Sequence, residues 1–285
     1  MKDSLISGLD WNKIDAIIEN ALQEDVGDGD ITTNSLFNTG ETAKAYIKVK
    51  EAGTIAGLPI AERVFLKLDN RLSWNAKIVD GEQVLPGQIL SEIEGSQRAL
   101  LTGERLALNI LQRLSGIATQ TAKYLTAVKG LPVKILDTRK TLPGLRVLEK
   151  YAVAAGGGKN HRFGLFDGIM IKDNHIKLAG GITNAVNKIK KAGINHLSIE
   201  VETSNLAEVN EALNAGADII MLDNMSLEKM REAVQRIEGE AKTEASGGIT
   251  LEKIRKVAET GVDYISVGAL THSVKALDIG MYFYG

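Results

Sequence analysis

From residue 132 onward the chain repeats one unit. Short apolar runs that end in a polar cluster recur as PVKILDTRK, GIMIKDN, LSIEVET, ADIIMLDN, TEASGGI and VDYISVGAL. Helical segments stand between them: AVNKIKKAG, LAEVNEALNAG, SLEKMREAVQRIE and LEKIRKVAETG, several ending in glycine as helix C-termini do. The polar ends fall at Asp137, Lys172, Glu202, Asp223, Ser246 and Gly268, and after a long first step the intervals are 30, 21, 23 and 22 residues. Strand and helix alternating at this pitch dictate parallel βα units, because a parallel pair needs a crossover long enough to hold a helix. Six such units with right-handed crossovers predict an open parallel α/β barrel, with a doubly wound open sheet as the structural alternative.

The first hundred residues lack this beat. Trp11, Ile14, Ile17, Ile18, Ala21 and Leu22 recur at helical spacing, which predicts a helix over 11–25. EDVGDGDITTNS reads as a loop, AKAYIKVKEAG as a strand, PIAERVFLKLD as a helix, and SWNAKIV and QILSEIEGS as strands. An α+β module ending near residue 100 is expected. Residues 98–130 form one long helical pattern with Leu100, Leu101, Ala107, Leu108, Leu111 and Leu114 on a broad apolar face. Thr102, Arg105, Asn109 and Gln112 share the other side, which fits an ordinary polar helix face as well as it fits a subunit boundary.

Composition narrows the function classes. Thirty-six acidic against thirty-four basic residues leave a net charge of −2, so no bulk positive field exists for nucleic acid or an anionic membrane. The absence of cysteine excludes disulfides, zinc-thiolate sites, iron–sulfur clusters and thiol nucleophiles. It also suits a reducing cytoplasm, where the protein is expected. The opening MKDSLISGLDWNKIDAIIENALQED carries charges every few residues, so no signal peptide is expected. No run approaches the ~18 apolar residues of a membrane span.

In a parallel barrel the C-terminal strand ends converge on one mouth. Here they read Thr138-Arg139-Lys140, Lys172-Asp173-Asn174-His175, Glu202, Asp223-Asn224, Ser246-Gly247-Gly248 and Gly268. A single polar strand end means only that loops are solvated; six in register point to a site. Glu200 and Glu202, two apart on a strand, face the same side. Carboxylates aimed inward require cations or a metal, and a structural salt bridge to Lys172 or Arg139 would also meet that need. The cluster Gly156-Gly157-Gly158-Lys159-Asn160-His161-Arg162 is no P-loop, because the leading glycine is mis-spaced and no Ser or Thr follows Lys159. It reads instead as a turn that delivers His161 and Arg162 to the mouth. Together with Arg139, Lys140 and Lys172 they suit a small polyanion. Glu202 and Asp223 suit Mg²⁺ or sugar hydroxyls. Ser246-Gly247-Gly248, ahead of a helix, and Gly268-Ala269 suit a phosphate. The sum is an enzyme acting on a phosphorylated sugar that carries pyrophosphate, with a carboxylated co-substrate. EDVGDGDITT lacks the glutamate of a calcium loop, the four histidines lie on different elements without zinc spacing, and no GxSxG elbow occurs.

The segments ALQEDVGDGDITT, GERLALNILQRLSGIAT, DTRKTLPGLRVLEKYAVAAGGGKNHRFGLFDGIMIKDNH, IEVET, IIMLDN, EASGGIT and ISVGALTHS together resemble the quinolinate phosphoribosyltransferase family, that is, the carboxylating nicotinate-nucleotide pyrophosphorylases. The resemblance runs nearly end to end. It implies an N-terminal α/β sandwich domain over residues 1–115, joined by the C-terminal tail 273–285, and an open α/β barrel over 116–272. It implies phosphoribosyl pyrophosphate and quinolinate as substrates, Mg²⁺ and no organic cofactor, and a homodimer or larger homo-oligomer with shared active sites. By matching motifs Arg105 would reach a partner's site, and Arg139, His161 and Arg162, beside Thr138, would face the quinolinate carboxylates. Lys140 and Lys172 would meet phosphoryl or carboxylate groups. Glu202 and Asp223 would bind ribose hydroxyls and metal, and Ser246, Gly247, Gly248, Val267, Gly268 and Ala269 would hold the 5′-phosphate. The rivals are a related barrel protein associated with molybdenum transport, a Schiff-base aldolase using Lys172, and a non-catalytic anion-binding barrel.

Overall fold

The computed structural model describes residues 8–194 and 196–285; the first seven residues of the segment read above for a signal peptide lie outside the described residues. The chain forms two compact units. One comprises the described part of Met1–Ala122 with Thr141–Gly157 and Leu270–Gly285, and the other comprises Lys123–Lys140 and Gly158–Ala269.

In the first unit, α1 (Trp11–Val26) starts at Asp10, whose carboxylate accepts from the Lys13 amide, and it buries Ile14 and Ile18. The stretch expected to be a loop contains α2 (Ile31–Leu36) instead. Asp30 caps this helix by accepting from the Thr33 amide at 2.9 Å, so one local bond overrides the run of turn-forming residues before it. Then come β1 (Thr42–Val49), β2 (Gly53–Thr54), α3 (Leu58–Leu68), β3 (Ser73–Ala76), β4 (Gln83–Val84), β5 (Ile89–Ser96) and the long α4 (Gln97–Ala127). Buried Asp80 accepts from the Gly57 and Leu58 amides, at 2.5 and 3.1 Å, and so supplies the cap that α3 lacks from its own residues. Of the apolar face expected on α4, Leu100, Ala107, Leu108, Leu111 and Leu114 are buried.

The second unit holds the repeating part. Its strands are β6 (Lys134–Leu136), β7 (Ile169–Ile171), β8 (Ile199–Thr203), β9 (Ile219–Asp223), β10 (Lys242–Ser246) and β11 (Tyr264–Ser266). All pair in parallel in the order β6-β11-β10-β9-β8-β7. The intervening helices are α5 (Arg146–Ala155), α6 (Asp173–Ala179), α7 (Ile182–Lys191), α8 (Leu206–Asn214), α9 (Leu227–Ile237), α10 (Ile254–Ala258) and α11 (Ala269–His272). Although α5 follows β6 in sequence, it clusters with the first unit, as does α11 beyond Ala269. Asn205 and Ser226 cap α8 and α9 through their side chains. The last strand, β12 (Ile279–Phe283), pairs antiparallel with β1 and completes the first unit's sheet in the order β12-β1-β5-β3. Among the described residues no helix is long and apolar enough to cross a membrane.

Candidate active site

Asp137 follows β6 directly and is fully buried; its carboxylate accepts from the His161 amide at 2.8 Å. The Asp137 amide donates to the Lys159 carbonyl at 3.1 Å, and the Lys159 amide donates to the Ile135 carbonyl at 2.9 Å. Residues 159–161 therefore run as a parallel stub beside β6. This is how the glycine-rich cluster brings His161 and Arg162 to the strand ends. Beyond β6, the Thr138 hydroxyl accepts from the Lys140 amide at 3.1 Å and turns the chain at Arg139.

The His161 ring is held at both nitrogens. Its Nδ1 accepts from the Arg162 amide at 2.8 Å. Its Nε2 lies 3.1 Å from Glu200 Oε2 and 3.6 Å from Glu244 Oε2. Both carboxylates are buried, and the Oε1 atom of each has no hydrogen-bond partner. Burial first, and then the neighbouring Glu200 carboxylate, push the Glu244 carboxyl up to about 7, with His161 opposing. Arg162 donates from Nη1 to the Gly168 carbonyl at 2.9 Å. Burial and the adjacent Arg139 charge lower its pKa, against Glu200 and Asp167.

On the next strands Lys172 Nζ lies 3.6 Å from Glu202 Oε2, so the salt bridge weighed from the sequence forms at Glu202. Burial raises the Glu202 carboxyl; Lys172 opposes this, while Asp223 and Asp173 add to it. Glu202 therefore lies within the field of Lys172, Asp223 and Asp173. Asp223 ends β9 and accepts from the Asn224 side-chain amide at 2.8 Å. The Asn224 amide donates to the Ser246 carbonyl at 2.9 Å. Gly247 sits at φ +91°, with the Asn224 side chain in the space a Cβ would need, so a side chain there would be strained. The helix read from LEKIRKVAETG begins at Ile254, three residues later than the segment starts. The backbone of half-buried Gly247 and exposed Gly248, not a helix start, is what that loop offers. Val267 is buried and its amide donates to the Leu136 carbonyl at 3.0 Å, while Gly268 and Ala269 are half-buried.

The second unit thus carries Thr138, Arg139, Lys140, His161, Arg162, Lys172, Glu202, Asp223, Ser246, Gly247, Gly248, Val267, Gly268 and Ala269. Arg105 lies in the first unit, exposed on α4. Two of the polar residues on its face have partners within the chain: Thr102 donates to Asp30 and Gln112 to the Ile279 carbonyl. Arg105 and Asn109 are exposed. Sequence reasoning missed Glu244. It lies two residues before Ser246, the same alternation that singled out Glu200 and Glu202, but within a segment read only for its glycines. The three potential metal-binding atoms of His161, Glu200 and Glu244 come within 4.8 Å of one another, from separate elements.

The chain matches two family models: the N-terminal domain of quinolinate phosphoribosyl transferase over residues 30–115, and its C-terminal domain over 117–282. It is 48% identical over 258 residues to a probable carboxylating nicotinate-nucleotide pyrophosphorylase of Bacillus subtilis, covering 90% of this chain and 89% of that one. It is 44% identical to the decarboxylating quinolinate phosphoribosyltransferase 1b of Nicotiana tabacum, covering 93% and 81%. The crystal structure of NadC from Streptococcus pyogenes superposes with a TM-score of 0.92 at 44% identity, over 96% of this chain and 98% of that one. The nicotinate-nucleotide pyrophosphorylase of Francisella tularensis gives a TM-score of 0.90 at 40% identity, over 96% of both chains. The two family models follow one another along residues 30–115 and 117–282, and the chain belongs to the quinolinate phosphoribosyltransferase family.

Proposed function

We propose that quinolinate phosphoribosyl transfer, the activity in NAD biosynthesis that family membership gives this chain, is carried out at the C-terminal ends of the parallel strands, in the barrel half spanning residues 116–272. The observation that carries this placement is the convergence of Arg139, Lys140, Arg162, Lys172, Glu202 and Asp223 at one end of a single sheet.

Arg139 and Arg162 bind the two quinolinate carboxylates, since a guanidinium meets a carboxylate with paired donors. Held there, the pyridine nitrogen is aimed at the anomeric carbon. Glu202 and Asp223 take the ribose hydroxyls, and the backbone at Ser246–Gly248 and Val267–Ala269 takes the 5′-phosphate. Lys140 and Lys172 stabilise the charge on the departing pyrophosphate. Glu202 and Asp223 also fit Mg²⁺. They are hard oxygen donors near enough for Asp223 to raise Glu202, and Mg²⁺ asks for only one or two protein carboxylates beside substrate oxygens. Bound there, it would supply further neutralisation of the pyrophosphate. Alkylation of the ring nitrogen makes the pyridine an electron sink, so the adjacent carboxylate leaves as carbon dioxide without an organic cofactor, and the electron pair left on that ring carbon takes up a proton from solvent.

Exposed Arg105, with Asn109 one turn away, completes the site of a second copy in a homodimer or larger assembly. The setting is cytoplasmic. The test is formation of nicotinate mononucleotide, pyrophosphate and carbon dioxide from quinolinate and phosphoribosyl pyrophosphate. A protein that binds both compounds but forms no product would support the anion-binding rival, and borohydride trapping on Lys172 would support the aldolase.

A further inference from the structure

Half-buried His161 and the buried acids Glu200 and Glu244 have no part in the proposed reaction, and their geometry bears on what His161 does. A backbone N–H can only donate, so the 2.8 Å bond from the Arg162 amide makes His161 Nδ1 an acceptor. The neutral ring then carries its proton on Nε2, the nitrogen that faces Glu200 at 3.1 Å and Glu244 at 3.6 Å. A protonated nitrogen has no lone pair for a metal ion. The trio is therefore not a metal centre, despite the closeness of its three potential ligand atoms. Nor does the ring turn an N–H outward to a substrate carboxylate, since Nδ1 is unprotonated and the Nε2 proton lies on the buried acids.

What the ring does hold is the start of Arg162. The Asp137 carboxylate fixes the His161 amide at 2.8 Å, and the ring fixes the Arg162 amide. At its far end, the Arg162 guanidinium is tied to the Gly168 carbonyl at 2.9 Å. A Cβ at Gly168 would lie 3.1 Å from Arg162 Cβ, so the arginine stem runs over that glycine. Arg162 is thus set at both ends, and one end depends on the His161 ring plane. That plane depends in turn on the acids behind it.

We propose that Glu200 and Glu244 are positioning residues for dicarboxylate recognition, which hold the neutral His161 ring so that it sets Arg162 for the substrate, while His161 itself binds no substrate carboxylate. The proposal rests on the site placement given above and specifies which groups in it are ligands and which are supports. Glu244 is the better probe, because Glu200 lies two residues from the Glu202 carboxylate, whereas Ser246, two residues from Glu244, is assigned through its backbone.

Two measurements test it. The first is kinetic. Glu244→Ala should raise KM for quinolinate, and Ki for the unreactive dicarboxylate phthalate, by at least ~10-fold, leaving KM for phosphoribosyl pyrophosphate and kcat within about threefold. Glu244→Gln, which keeps the shape and an acceptor, should stay within about threefold of the parent in all four. If Glu244 acts through the ring, the double variant His161→Ala with Glu244→Ala should be no worse in KM than His161→Ala alone. Full additivity would overturn the proposal, as would a Glu244→Ala protein with unchanged KM for quinolinate. The second measurement needs no destabilising change. In protein labelled with ¹⁵N-histidine, whose four histidines allow assignment through a His161→Gln control, the His161 ring should show the neutral Nε2–H form and keep it when phthalate is added. An imidazolium, or a new hydrogen bond from the ring to phthalate, would overturn the proposal. Parent protein that neither turns over quinolinate nor binds phthalate would instead defeat the site placement, and the ring's form would still decide between bound and buried roles for His161.

Discussion

Each unit of the molecule buries charged groups, and they do so differently. In the first unit, fully buried Glu149 accepts from Arg113 Nε at 2.9 Å and from the Leu142 amide at 3.3 Å. Buried Asp80 accepts from two backbone amides and from the Tyr151 hydroxyl at 2.6 Å. Every oxygen of these two carboxylates has a donor. In the second unit Glu200 and Glu244 each keep one buried oxygen without a partner, and Lys172 and Glu202 meet only at 3.6 Å. Burying a charge is costly, so carboxylates satisfied completely in one unit and left open in the other set the two units apart. The second pattern lies in the unit for which the reaction is proposed.

The comparison can be broken at several points. Removing divalent metal should have the largest effect: chelation with EDTA should abolish turnover, and Mg²⁺ or Mn²⁺ should restore it, with no change in the folded state. Full activity in metal-free buffer would show that Glu202 and Asp223 serve ribose alone. Next come Arg139→Ala and Lys172→Ala. Each should lower kcat/KM by at least ~10²-fold, about 3 kcal/mol, while a urea midpoint moves little. Glu149→Ala should do the reverse. It leaves Arg113 without its buried partner and should lower the unfolding free energy by about 3 kcal/mol, with kcat/KM of the folded protein unchanged. A catalytic defect there with intact stability would erase the distinction between the units.

The smallest effect is in pH, and the two units should show opposite signs. In the first, Arg63 and Lys67 hold Asp15 down, to about 2 from an ordinary 3.8. Its folded pKa is depressed, so its contribution is present above about 4 and is lost as pH falls toward 2. In the second, Glu244 is raised from 4.5 to about 7. Its folded pKa lies above the unfolded one, so its contribution is present below about 4.5 and is lost as pH rises through 7. Stability followed by urea unfolding across pH should lose its acid arm in Arg63→Ala. Between pH 5 and 8 it should become flatter in Glu244→Gln. An unaltered neutral-pH slope in Glu244→Gln would show that another group carries it.

Much of this was legible in the chain, and the failures have physical reasons. The beat of strand ends located all six parallel strands, because a doubly covered strand must be apolar until it reaches the mouth. The inward pairing of Glu200 with Glu202 followed from two-residue periodicity alone. Helix α2 was missed because its stability lies in one cap bond at Asp30 rather than in a hydrophobic pattern. The allegiance of α5 to the first unit was not visible, since an amphipathic helix does not declare which surface it covers. The family models divide the chain between residues 115 and 117, close to the boundary expected from the sequence, whereas the compact units divide within α4. The expectation that His161 faces the quinolinate carboxylates came from the family resemblance, not from spacing. That its ring turns toward Glu200 and Glu244 depends on contacts 39 and 83 residues away in sequence, which spacing cannot show.

The central claim is that the strand ends are built for two carboxylates. Quinolinate has two and nicotinate has one. With nicotinate, one of Arg139 and Arg162, both in the half-buried mouth, would lack its counter-charge, a loss of several kcal/mol. The deciding measurement is kcat/KM for the two pyridines under identical phosphoribosyl pyrophosphate, with carbon dioxide counted. Quinolinate should be preferred by at least ~10³-fold, with one carbon dioxide released for each nicotinate mononucleotide formed. Comparable use of nicotinate, without carbon dioxide, would contradict the account.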